Sequence, residues 1–165
     1  MITEILYKIL KWVIKRVLTV DGEWVDWKQL SIAVATTLGC APICLDQKYK
    51  LITLDDWKEI IKSDTLNITK EWKQDVFDCD NFAITFNAHC AEFYEVNTAG
   101  IALGKLYDAY TLEFLGNHAF NVLVAKKDNQ LKLYVYEPQT DELAEASKKT
   151  KVGDKIYEVE AVIFG

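Results

Sequence analysis

The chain has 165 residues, half of them hydrophobic, only two prolines and a net charge of −6. That composition excludes a disordered chain, supports one domain with a substantial core, and argues against nucleic acid as a partner, because phosphate binding needs concentrated positive charge. Four cysteines in this length do not form a disulfide framework and read as reduced thiols in a cytoplasm. Cys40 and Cys44 are close enough to pair or share a metal, but no second pair follows at zinc-site spacing.

The first segment, "MITEILYKILKWVIKRVLTV", is apolar enough to raise the question of targeting. Glu4, Lys8, Lys11 and Lys15 or Arg16 form a charged stripe, and Ile2, Ile5, Leu6, Ile9, Val13, Val17 and Val20 take the opposite face. This is an amphipathic helix. It lacks the run of about 20 apolar residues that a transmembrane helix needs, and it lacks a signal-peptide cleavage site. Docking on the protein's own core is the expected role, with membrane-surface binding through its basic residues as the alternative. "VDGEWVDW" then reads as a turn, and Trp27 to Leu38 as a second helix ended by Gly39. "CAPICLDQKYKLI", broken by Pro42, reads as irregular. In "TLDDWKEIIK", Thr53 is placed to cap a helix whose first turn carries Asp55 and Asp56. A polar stretch from Ser63 to Gln74 follows.

The stretch "WKQDVFDCDNFAITF" crowds three aspartates around Cys79. Negative neighbours disfavour a thiolate, so the acids either hold a cation or mark an overdetermined helix start. Asp78 is expected to cap that helix, and Cys79, Phe82, Phe86, Cys90 and Phe93 repeat along one face. Beyond it the period changes. "GIALGKLYDAY", "HAFNVLVA", "LKLYVYE" and "KIYEVEAVIF" alternate or run apolar as strands do. The expected class is α+β: a helical part over residues 1–70, then the Cys79 helix and an antiparallel sheet over residues 75–165, in a single domain over 1–165.

His118, Phe120, Val122 and Val124 share one face of their strand, and Leu131, Leu133, Val135 and Glu137 one face of the next. A hairpin through "KKDN" that pairs Val124 with Leu131 sets His118 directly opposite Glu137. A two-residue slip, with "DN" alone as the turn, keeps the faces and makes that contact diagonal. A thiol at a helix start, a strand histidine and a neighbouring carboxylate are the parts of a cysteine nucleophile system. The competing reading is a buried helix cysteine and a satisfied core histidine. The second histidine, His89, lies ten residues along the Cys79 helix, about 15 Å away, too far to serve.

"DVFDCDNFA", "GNHAFNV" and "YEPQ", in that order, resemble the papain-like cysteine protease domain of the mushroom agglutinins (fungal chimerolectins) and its stand-alone prokaryotic and viral relatives. The resemblance covers roughly Asp75 to Thr140. It implies a papain-like fold, with N-terminal helices and the Cys79 helix packed on a C-terminal antiparallel sheet. It also implies a calcium-dependent cysteine peptidase with Cys79 as nucleophile, His118 as base and Glu137 as its orienter. The calcium positions it implies are Asp75, Asp80 and Gln139, with Mn2+ as a substitute ion, and a bound cation would cancel the charge that suppresses the thiolate. Asp78 is then the helix cap. Gln74, with the Cys79 backbone N–H, is the candidate oxyanion donor.

The partner this reading implies is a peptide or protein substrate, in a cytoplasmic protein encoded by a cell, a virus or a mobile element. Two rivals stand beside it. One is acyl transfer on the same trio, as a transglutaminase or a cell-wall amidase. The other is a non-enzymatic, metal-stabilised interaction module. Faces rich in Trp, Tyr and Phe could equally serve a homodimer.

Overall fold

The structure, a computed structural model, describes Ile5 and residues 20–165. The N-terminal amphipathic helix falls outside the described residues. The described chain begins with strand β1 (Glu23–Asp26), helix α1 (Trp27–Leu38), and strands β2 (Ile43–Cys44) and β3 (Lys48–Thr53). Helices α2 (Leu54–Ser63), α3 (Leu66–Thr69) and α4 (Cys79–Tyr94) follow. Strands β4 (Ala99–Asp108), β5 (Phe114–Lys127), β6 (Gln130–Glu137), β7 (Glu142–Glu145), β8 (Lys149–Val152) and β9 (Lys155–Phe164) complete it.

The helix starts follow local chemistry. Asp26 accepts from the Gln29 N–H at 2.9 Å, and Gln29 Oε1 accepts in return from the Asp26 N–H. Thr53 and Asp56 make the same reciprocal pair at the head of α2. Gly39 closes α1 at φ 79°, a left-handed conformation that glycine adopts without a Cβ penalty.

The helix-packed, papain-like α+β expectation is corrected here. Nine strands form one sheet in the order β1-β3-β5-β4-β9-β2, with β6 and β7 extending from β5, and β8 from β9. Three of these strands fall in the part expected to be helical, including the segments read as a turn and as irregular. The physical reason is long-range pairing. Tyr49, Leu51 and Ile52 of β3 are buried, and Ile52 and Thr53 pair in parallel with Ala125 and Lys126 of β5, where β4 has ended. β2 likewise joins β9 in parallel. The sheet is therefore mixed, and β2 and β3 are chosen by partners more than seventy residues away, with β1 added on β3.

Each face of β5 supplies one core. Leu123 and Ala125 pack with Trp57 and Ile60 of α2, Phe82 and Phe86 of α4, and Tyr134 and Tyr136. Phe120, Val122 and Val124 pack on the other face with Leu30 and Val34 of α1 and with Leu133, Val135 and Tyr157. Each such side chain taken fully out of water contributes about 1.5–3 kcal/mol. The Trp57 indole N–H donates to Val124 O at 3.0 Å, which ties α2 to the central strand.

The β5–β6 hairpin adopts the slipped register. Val124 pairs with Leu133 and Lys127 with Gln130, so Asp128 and Asn129 alone make the turn, at φ 51° and 59°. Both residue types tolerate the left-handed region that a type I′ turn requires.

At Leu103/Gly104 the β4–β9 register shifts by a bulge, and a Cβ on Gly104 would lie 2.0 Å from Glu158 O. The intruding atom is backbone, so it cannot rotate away. Gly104→Ala is expected to lower stability by about 1–3 kcal/mol in urea unfolding. An unchanged midpoint would show that the bulge relaxes freely.

Candidate functional site

The site is organised by a buried carboxylate. Glu137, at the end of β6, is 3% exposed. Its Oε2 accepts from His118 Nε2 at 2.6 Å and from the Tyr157 hydroxyl at 3.0 Å. Its Oε1 accepts from the Gln139 backbone N–H at 3.1 Å and from Gln139 Nε2 at 3.2 Å. A carboxylate this far from water is tolerable only with such donors. Burial, and then the Glu137 charge, push the Tyr157 phenol well above its ordinary range, so it stays protonated and donates. His118 stacks beside Phe120 and meets the edge of Tyr157. With Nε2 committed to Glu137, Nδ1 is the ring nitrogen left for a ligand. The contact between His118 and Glu137 is the diagonal one that the two-residue turn implies.

Cys79 opens α4 at the side of the same structure. A cavity of about 370 Å³ is lined by Cys79, Asp80, Leu103, Gly104, Asn117, His118, Ala119 and Glu160. The structure thus brings Cys79, His118 and Asp80 to one cavity, with Glu137 directly behind His118. Leu103, Gly104, Asn117, Ala119 and Glu160 of the cavity, and Tyr157 behind it on Glu137, are members that the sequence reading missed. They arrive by β4–β5 and β4–β9 pairing, and a strand-period pattern alone does not say which outward positions meet a helix start. Gln74 is exposed in the turn closed by the Lys73–Phe77 bridge and is not among the lining residues.

The aspartates crowd the head of α4, with Asp78 in the cap position expected of it. Asp78 stands at the N-cap position, but its carboxylate accepts from the Asp75 N–H at 3.0 Å, while Asn81 Oδ1 accepts from the Asp78 N–H at 3.2 Å. The Asp78 and Asp80 carboxyls lie side by side at the head of α4 and influence each other's ionisation. This contact raises the Asp80 carboxyl and lowers that of Asp78, which the Asp75 N–H also lowers. Asp75 is exposed, at φ 59°. Gln139 points its amide nitrogen at Glu137. Among the described residues, no group of three or more His, Cys, Asp or Glu side chains converges as a metal site. The donors that would suit a hard cation are the adjoining Asp78 and Asp80 carboxylates, whose mutual repulsion a cation would relieve, with Asp75 nearby in sequence.

His89, set aside as too distant, has its own partner. Its Nδ1 lies 2.7 Å from Asp64 Oδ2 and its ring packs against Phe93. The Asp64 hydrogen bond raises His89 above the 6.5 of an ordinary histidine, against desolvation.

The chain matches the model of the Agglutinin C-terminal family over residues 49–143. Two solved structures share its fold. One, titled a PSL1a–E64 complex, is 20% identical with a TM-score of 0.62, covering 86% of this chain and 51% of that one. The other is a Polyporus squamosus lectin bound to the human-type influenza-binding epitope Neu5Aca2-6Galb1-4GlcNAc, 18% identical with a TM-score of 0.63, covering 86% and 49%. The chain therefore spans about half the length of these relatives, and the likeness is one of fold. No curated protein matches the chain in sequence. No helix among the described residues is long and apolar enough to cross a membrane.

These findings correct the functional expectation. The matched family is described as the C-terminal part of agglutinins and the named neighbour is a lectin, and neither description carries a peptidase. The expected cysteine peptidase, its thiol-hydrolase chemistry and its peptide or protein substrate are accordingly not carried forward. The sheet-dominated fold shared with those chains replaces the helix-packed one.

Two outcomes follow from the geometry. Cys79 borders the cavity, whereas burial pushes the Cys40 and Cys90 thiols up and Cys44 is engaged by Ser31. Iodoacetamide should therefore modify Cys79 first, read by peptide mass spectrometry. Labelling of Cys90 ahead of Cys79 would contradict the site. For His89 the folded value is raised, so its pairing stabilises fully below the unfolded value and is lost as pH rises through the folded one. Melting temperature should fall by about 2 °C across that window, a small effect because the ring is partly exposed, and His89→Gln should abolish the slope.

Proposed function

We propose, taking as premise that this chain belongs to the Agglutinin C-terminal family, that it is a non-enzymatic binding module whose ligand site is the cavity at the start of α4. The observation that carries this reading is the convergence of Asp80, Asn117, His118 and Glu160 over an apolar floor of Leu103, Gly104 and Ala119. A sugar ring needs that combination: planar polar groups for its hydroxyls and an apolar surface for its C–H face. The lectin relative's name adds the ligand class, a glycan.

Charge narrows the class. Glu160 is paired with Lys105, whereas Asp78 and Asp80 face no cation among the described residues, so the rim is negative. A carboxylate-bearing sugar such as the Neu5Ac of the relative's epitope would be repelled, and a neutral glycan is favoured. His118 serves as a hydrogen-bonding wall fixed by Glu137, and Cys79 as a small polarizable surface. The acidic rim would be stabilised by Ca2+, with Mn2+ as a substitute, held by Asp80 and its neighbours Asp75 and Asp78. Gln139 serves this site through Glu137. Four unpaired thiols suit a reducing, cytoplasmic setting.

A neutral-glycan array followed by calorimetric titration tests the reading. Wild type should bind saturably, and Asn117→Ala should weaken binding roughly tenfold, the cost of about one hydrogen bond. Calcium should raise the melting temperature, and Asp80→Asn should remove that rise. No neutral glycan bound, or hydrolysis of a peptide that disappears in Cys79→Ala, would overturn the reading.

A further inference from the structure

Nothing in the apolar packing of α4 on the sheet fixes where its first turn stops. Phe82 and Phe86 lie against Leu123 and Tyr136 in one cluster, and such packing is non-directional. A helix sliding along an apolar face would carry Cys79 past His118. Among the described residues, two side-chain amides make directional contacts between α4 and the sheet, while His89 ties the helix farther along to Asp64. Asn121 of β5 is fully buried, and its Nδ2 donates to Ala83 O of α4 at 3.0 Å and to Gly100 O of β4 at 3.2 Å. Asn87, further along α4, donates to Ala99 O.

The position of Asn121 links the two walls of the cavity. Ala83 lies four residues after Cys79, one helical turn along the same side. His118 lies three residues before Asn121 on β5. One amide therefore spans from the strand that carries the histidine to the turn that carries the thiol. This comes at a cost. Asn121 Oδ1 is buried with no hydrogen-bond partner, in a strand position whose neighbours toward α4 are apolar. An aliphatic residue of similar size would relieve that cost while giving up the two hydrogen bonds, so the amide's net effect on stability is small and its direction in space is what distinguishes it.

We propose that Asn121 is a positioning residue that sets the register of α4 against β5 and so holds Cys79 and His118 at one cavity. This rests on the reading of that cavity as the ligand site, but its test does not use the ligand. Asn121→Leu is compared with wild type by urea unfolding, by the iodoacetamide rate of Cys79 relative to Cys44 in the same molecules, and by the His118 ring signals in NMR. Stability is expected close to wild type. The Cys79 rate should change several-fold relative to Cys44, and the His118 signals should shift. If the leucine variant does not fold, Asn121→Val carries the same comparison with less bulk. An unchanged relative rate with unmoved His118 signals would overturn the proposal, whatever the stability. A wild type that binds no glycan would sink the function reading and leave this result standing.

Discussion

The constraint on which the rest of the site depends is the burial of the Glu137 carboxylate. A charge out of water must be met by donors, and here they come from β5, β9 and the turn after β6. Satisfying the carboxylate fixes the His118 ring, holds the Tyr157 hydroxyl inward and sets the start of the β6–β7 connection. The turn is anchored again at Asp141, which takes the Tyr136 hydroxyl at 2.8 Å and the Asn67 amide at 2.7 Å. Position in the sheet and polarity of the cavity wall are thus one problem with one solution.

Much of this was legible wherever the signal is local. The caps at Thr53 and Gly39 act within four residues, and each helix they imply is present. The pairing of His118 with Glu137 followed from strand alternation, because both hairpin registers keep the two on one face. What chose between them was the left-handed tolerance of Asp128 and Asn129.

The losses share a cause. β3 alternates lysines with buried Tyr49 and Leu51, and its pairing partners lie on β1 and on β5, the latter over seventy residues away. Tyr157 and Glu160 belong to β9, and nothing in "KIYEVEAVIF" says that it will run beside β4 and close the site. The acidic cluster is a different case. The resemblance implied Asp75 and Asp80 as ion ligands, while the carboxyl beside Asp80 at the head of α4 is that of Asp78. Resemblance at three short motifs named the same trio that strand alternation and the helix start suggest, and overreached on fold and activity, since a set of side chains can be carried by more than one architecture and role.

The central claim is that ligand enters beside His118, against a ring locked by Glu137. The chain has only two histidines, so a nitrogen-15 imidazole spectrum contains two spin systems, and His89 is an internal control on its own Asp64 pair. Titration of the histidine-labelled protein with the best neutral glycan is the most direct measurement. The account predicts that the His118 signals move to saturation while those of His89 stay fixed. Saturable binding that leaves His118 unmoved, or that shifts His89 alone, would contradict it.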